Sequence, residues 1–277
     1  MVEEMKGYAI LVGVDEVNPK HYGVSMITPS AKNSAEKIHR HLLDFSTIPD
    51  NRIDVYVGKE AVFHDIDIRM KHYARLSNLP NSEPIFLFLY FAGHSFSMDG
   101  KEKGEFTFFN LYDQMLFENE FKNWLKDFHI DSKLFCVIDS CYAGGYGSDK
   151  KLIMDNDFGL IDNGENAYEQ LIKYYNNKLK IELNSNEYPE TFMIAAVGKL
   201  NWARIDMVQN IFDFTFWLLK FLEENKEEKK NYEPFFYKLQ NHFVETADSS
   251  RGVGHIPQKF HYKCSLSYFV NNKPLKI

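Results

Sequence analysis

Cysteine is scarce. Only Cys136, Cys141 and Cys264 occur in the 277 residues, without a Cys-x-x-Cys pair or an even-numbered set. That pattern supports neither a secreted disulfide framework nor a thiolate zinc site, which need more sulfur at tighter spacing. Long hydrophobic runs are missing too. No apolar stretch approaches the ~18 residues of a membrane span, and the longest, Phe212 to Leu222, is broken by Asp213 and Lys220. The first seven residues carry no apolar segment of the secretory type. Positive charge is in deficit, with 32 Lys+Arg against 39 Asp+Glu and a formal net charge of −7. The lysines that cluster, Lys150-Lys151 and Lys226 to Lys230 with interspersed glutamates, read as solvated surface rather than a phosphate track. These absences lead us to expect a reducing, cytoplasmic setting, with no nucleic-acid partner and no membrane. Also absent are Gly-x-x-x-x-Gly-Lys, Gly-x-Ser-x-Gly, internal repeats and low-complexity tracts, which removes P-loop and serine-elbow chemistry.

Apolar residues make up 44% of the chain and aromatics 16%, enough to bury a sizeable core. Several apolar runs show no alternation, as expected of strands covered on both faces of a parallel sheet. The first is Tyr8 to Val14. A polar loop, Asp15 to Pro29, leads to Ser30 as a helix N-cap, and Ala35, Ile38 and Leu42 place a helix over 31–43. Ile53 to Val57 is a short strand. A second helix over 65–79 turns Ile68, Tyr73 and Leu76 inward and stops at Pro80. The run from Pro84 that ends at His94 is a central strand, followed by a hairpin through Asp99-Gly100 and Phe106 to Phe109. A helix over 118–128 precedes the strand that starts at Lys133 and ends at Cys141. Residues 146–189, polar and long, are expected to form a mobile linker or activation loop, with one helix near 166–183. A strand at 191–197, helices at 212–225 and 232–247 and a last strand at 261–270 complete the pattern. The fold class expected is therefore α/β, a single domain over 1–277. Its central, mostly parallel sheet has about six strands, with helices on both faces and a small hairpin insertion.

Two of these strands end in reactive side chains, His94 and Cys141. In parallel sheets chemistry sits at the carboxyl ends of the strands, so an imidazole and a thiol delivered to one rim form a nucleophile and base pair. Cys136, mid-strand, reads as inert packing. Gly144-Gly145 after Cys141 lets the chain turn and frees backbone N–H groups for a bound carbonyl; a merely structural turn would use the same residues. Metal binding is the competing use of Cys and His. It is rejected because three or four ligands at tight spacing are lacking, and His39-x-His41 puts its rings on different helix faces.

Tyr90-Phe91-Ala92-Gly93-His94-Ser95 and Asp139-Ser140-Cys141-Tyr142-Ala143-Gly144-Gly145 resemble the two active-site signatures of caspase-like peptidases, most closely metacaspases and their bacterial relatives. The likeness runs along the chain through Asn33-Ser34-Ala35, Phe214-Thr215 and Ile256-Pro257-Gln258. It implies the caspase-like fold and a cysteine endopeptidase, with His94 and Cys141 catalytic and the backbone N–H groups of Cys141 and Ser95 forming the oxyanion hole. Where the family has Gly after the histidine, this chain has Ser95. The resemblance also implies that Asp139 binds a basic P1 side chain (Arg or Lys), unaided by the family's second acid, which is replaced by Ser34. It places Trp202 along the substrate cleft and Lys150-Lys151 at a possible processing site. No cofactor is expected; calcium, often used in the family, stays open because no oxygen-ligand loop is visible. The expected partners are a protein or peptide substrate and an activating protein, in cell death or defence. Two alternatives remain: a catalytically silent interaction module on the same fold, and a small-molecule α/β hydrolase lacking the usual motifs.

Overall fold

A computed structural model describes residues 5–23, 25–80, 83–100, 104–141, 188–196, 203, 205–206, 208–225, 232–245, 258–261 and 275. The strands of the main sheet are β1 (Lys6–Gly13), β2 (Ile53–Val57), β3 (Ile85–Gly93), β7 (Lys133–Ser140), β8 (Glu190–Ala195) and β11 (Gln258–His261), in the spatial order β11-β8-β7-β3-β1-β2. All neighbours pair in parallel except β11, which runs antiparallel to β8. A second sheet, β4 (Ser95–Gly100), β5 (Gly104–Asn110) and β6 (Met115–Phe117), is the expected hairpin plus one short strand. A small hairpin, β9 (Ile205–Asp206) and β10 (Ile211–Phe212), lies just before a helix.

The unbroken apolar runs are explained by two cores, one on each sheet face. Along β3, Phe86, Phe88, Tyr90 and Ala92 point to one and Ile85, Leu87, Leu89 and Phe91 to the other, the period-2 alternation of a pleated strand. The first face is covered by α2 (Pro29–Phe45), α5 (Asp213–Asn225) and α6 (Tyr232–Glu245), the second by α3 (Phe63–Ser77) and α4 (Glu118–Lys126). A four-residue helix, α1 (Pro19–Tyr22), interrupts the loop after β1.

Four sequence expectations change. Helix α2 starts earlier, with Thr28 rather than Ser30 at the N-cap and Pro29 in the first turn, where its missing N–H is harmless. In α3 the inward face is Ile66, Met70, Tyr73 and Ala74, while Ile68 is 53% exposed. The stripe starts at Ile66, two residues before Ile68 and so on the opposite side of the helix, while Tyr73 is inward as expected and Leu76 is partly buried against the same core. Strand β11 begins at Gln258, where its first residue finds a ladder partner in Ala195. The helix α1 and the β9–β10 hairpin were not foreseen, because elements this short carry no periodicity. Of 146–189 only Tyr188 and Pro189 are described, both buried; the helix expected at 166–183 lies outside the described residues. No described helix is long and apolar enough to cross a membrane.

Candidate functional site

Strands β3 and β7 are adjacent and parallel, in a register that pairs Ala92 with Asp139 and Gly93 with Ser140. His94 and Cys141 directly follow this last pair, at the ends of strands about 4.8 Å apart. The two side chains singled out by sequence thus leave the sheet at one rim, at neighbouring positions. Gly93 makes this exit possible. Its φ is +157°, and a Cβ there would meet the Phe109 ring at 3.0 Å and Val14 at 3.2 Å, so only glycine fits without strain. Immediately before it Ala92 accepts from Val14 N–H at 2.9 Å, and immediately after it the His94 carbonyl accepts from Asn110 N–H at 2.9 Å. The histidine is therefore held on both sides by backbone.

The loop after β1 returns to the same rim and brings Thr28, whose hydroxyl hydrogen-bonds His94 Nε2. Burial pushes the imidazole below its ordinary value, because the charged form loses water. Phe96 lies nearly parallel to the His94 ring, 17° between planes and 6.4 Å between centroids. Cys141 is half-buried. Its sulfur accepts from Ala203 N–H at 3.4 Å. Burial pushes the thiol up; the Ala203 amide draws it down, and the negative charge of Asp139 raises it. Both groups therefore rest uncharged near neutral pH, an arrangement suited to proton transfer during attack rather than to a preformed ion pair.

Ser95 is buried beneath the pair. Its hydroxyl donates to the Cys141 carbonyl and lies 2.8 Å from that of Ser140, so it ties the two strand ends together. Ser95, which stands where the caspase-like signature has glycine, has no unusual backbone, since the only non-glycine residues with positive φ among those described are Asn210 and Leu275.

Asp139 is fully buried on the other face of β7. Its Oδ2 accepts from the Thr215 N–H at 3.1 Å and from the Thr215 hydroxyl. Thr215 belongs to the first turn of α5, so the carboxylate caps that helix from outside, where the dipole favours an anion. Its Oδ1 has no hydrogen bond. Burial raises the carboxyl to about 7 despite the Thr215 donors, and Asp213 nearby adds to the rise. Ser34 is buried as well, its hydroxyl accepting from Phe212 N–H at 2.9 Å. Trp202, Lys150 and Lys151 lie outside the described residues. Among those described, no group of three or more His, Cys, Asp or Glu side chains converges as a metal site.

Sequence reasoning passed over Thr28, Ala203 and the capping role of Thr215. Thr28-Pro29 carried a usable signal, since Thr before Pro is a helix-start signature. Ala203 carried none, because it acts through its backbone.

No family model matches the chain, and no curated protein matches it in sequence. Solved structures do match. Protein GSU0716 from Geobacter sulfurreducens superposes with a TM-score of 0.76 at 17% identity, over 98% of this chain and 99% of that one. Caspase-1 from Spodoptera frugiperda superposes with a TM-score of 0.54 at 7% identity, over 95% of this chain and 92% of that one. At these identities the likeness speaks to architecture, and the architecture is the caspase-like α/β fold.

Proposed function

We propose that this chain is a caspase-like cysteine endopeptidase in which Cys141 is the nucleophile and His94 the general base and acid. The observation that supports the reading is the pairing of Gly93 with Ser140 at the ends of β3 and β7, the residues directly before His94 and Cys141. With its proton on Nε2 against Thr28, the imidazole keeps Nδ1 free to accept the thiol proton as sulfur attacks the scissile carbonyl. The same proton passes to the leaving amine, and water hydrolyses the acyl-enzyme. Backbone N–H groups of Cys141 and Ser95 serve as oxyanion donors. Preference for Arg or Lys at P1 rests on Asp139, whose unbonded Oδ1 is the carboxylate atom left to pair with a basic head. The role proposed is a regulated effector of cell death or defence, acting on protein substrates in the cytoplasm under an activating partner, without a resident cofactor.

The test is incubation of the full chain with a peptidyl electrophile ending in Arg or Lys, followed by intact-mass and peptide mapping. A single adduct on Cys141, absent in Cys141→Ala and suppressed in His94→Ala, is expected. Absence of any adduct across a P1 library, with calcium present and after cleavage of the 146–189 segment, would instead identify a silent interaction module on the same fold.

A further inference from the structure

The Ala203 N–H is aimed at the Cys141 sulfur from outside the sheet, 3.4 Å away. It leads into the β9–β10 hairpin, which is secured to α2 by polar bonds at successive turns. Ser30 Oγ donates to Asn210 Oδ1 and Asn33 Nδ2 to the Asn210 carbonyl, each at 3.0 Å; Phe212 N–H donates to Ser34 Oγ at 2.9 Å. Positions 30, 33 and 34 share one face of a helix, so α2 presents a polar row to the hairpin. The hairpin turn is also fixed internally, because Asp206 Oδ1 accepts from the N–H groups of Val208 and Gln209 at 2.8 and 2.9 Å. Asn210 holds φ +49° at the point of contact, a conformation asparagine tolerates better than most residues. These bonds hold the hairpin that follows Ala203 in the chain against α2.

We infer that the Ala203 amide is a positioning group for the nucleophile, donating to the Cys141 thiolate, and that the β9–β10 hairpin clamped on α2 holds it there. A hydrogen bond to the charged form favours that form, and one to an ionised group is stronger than one to a neutral group. The amide therefore eases ionisation of a thiol that burial opposes. The other groups bearing on the sulfur among the described residues are its own Cys141 N–H, which also favours the thiolate, Asp139 two residues before it, with Asp213 near that carboxyl, and His94 just past the end of the neighbouring strand; all four are unchanged in the variants below. The inference rests on Cys141 being the nucleophile of the proposed peptidase. It is read by alkylation with a small electrophile, which needs no peptide substrate and so can fail separately from that activity.

The experiment measures iodoacetamide alkylation of Cys141 against pH in the full chain, by peptide mapping. Ala203→Pro removes the N–H and is expected to move the alkylation midpoint up by about one pH unit. Ala203→Gly keeps the N–H and is expected to leave the midpoint in place. Ser30→Ala combined with Asn33→Ala loosens the clamp and is expected to shift the midpoint in the same direction by less. A wild-type profile in a folded Ala203→Pro, or an equal shift in Ala203→Gly, overturns the inference. Should Ala203→Pro lose the wild-type circular dichroism spectrum, the clamp double variant decides: an upward shift supports the inference and an unchanged midpoint overturns it.

Discussion

The hydroxyls of Ser95 and Ser140 lie 2.8 Å apart, just inside the rim where β3 and β7 end. Both residues are buried, and Ser95 also donates to the Cys141 carbonyl. Since a hydroxyl has one proton, Ser140 then donates to Ser95, and the two strand ends become one hydrogen-bonded unit. Removing the central hydroxyl leaves the part-buried Cys141 carbonyl and the buried Ser140 hydroxyl each short of a partner. Ser95→Ala is therefore expected to cost about 1–3 kcal/mol of folding stability, measured by urea denaturation. Ser95→Gly is expected to lose at least as much, because it adds backbone freedom to the same loss.

Thr28 is the side chain that orients His94. Thr28→Val keeps the shape and removes the hydroxyl, so the ring loses the partner that fixes its rotamer and tautomer. Turnover of an Arg or Lys peptide is expected to fall roughly tenfold, the equivalent of one ordinary hydrogen bond. KM should stay unchanged and Thr28→Ser should retain most of the rate. An effect on KM alone would mean that the hydroxyl serves substrate binding instead.

Much of this was legible in the sequence, for identifiable reasons. Strands β1, β3, β7 and β8 are buried on both faces, so their apolar runs needed no period to be recognised, and each ended where a polar or small residue stood. The rim positions of His94 and Cys141 follow from those ends. Of the three residues expected on the inward face of α3, Tyr73 and Leu76 do pack against the core; Ile68 was misread because it is apolar and yet exposed, and an isolated surface isoleucine has no local signature. Thr28 meets His94, and Asp139 meets Thr215, through tertiary contacts spanning tens of residues. A single chain's spacing cannot report which of two hydroxyls, Thr28 or Ser30, faces the histidine. That Asp139 caps α5 was equally hidden, although both partners stood in segments already singled out.

Gly93 tests the exit from β3 directly. Any side chain must take a φ of +157° and push its Cβ against Phe109 and Val14. Gly93→Ala is expected to cost about 1–3 kcal/mol and to displace His94, so the rate constant for Cys141-dependent cleavage should fall more steeply than stability explains. The check is activity measured well below the melting midpoint, where the folded fraction matches wild type.

Asp139 gives a prediction in pH. Its carboxyl is raised in the folded chain to about 7 from an ordinary 3.8, first by burial and then by Asp213. Between those values the folded state holds a proton that the unfolded state has released, so stability falls as pH rises through this window and levels off above it. Asparagine does not titrate, and its amide oxygen can still accept from Thr215. The urea midpoint of Asp139→Asn relative to wild type should therefore climb from about pH 4 to about pH 7 and then stay level. A difference independent of pH would show an ordinary carboxylate at this position. The proposed P1 role adds a second reading in the same window. Cleavage after Arg, divided by cleavage after its neutral isostere citrulline, cancels the titration of His94 and Cys141 and isolates the charge at the pocket. If Asp139 meets the basic head, that ratio rises as pH passes through about 7 and is flat in Asp139→Asn; a flat ratio in the wild type would leave Asp139 to the capping of α5 alone.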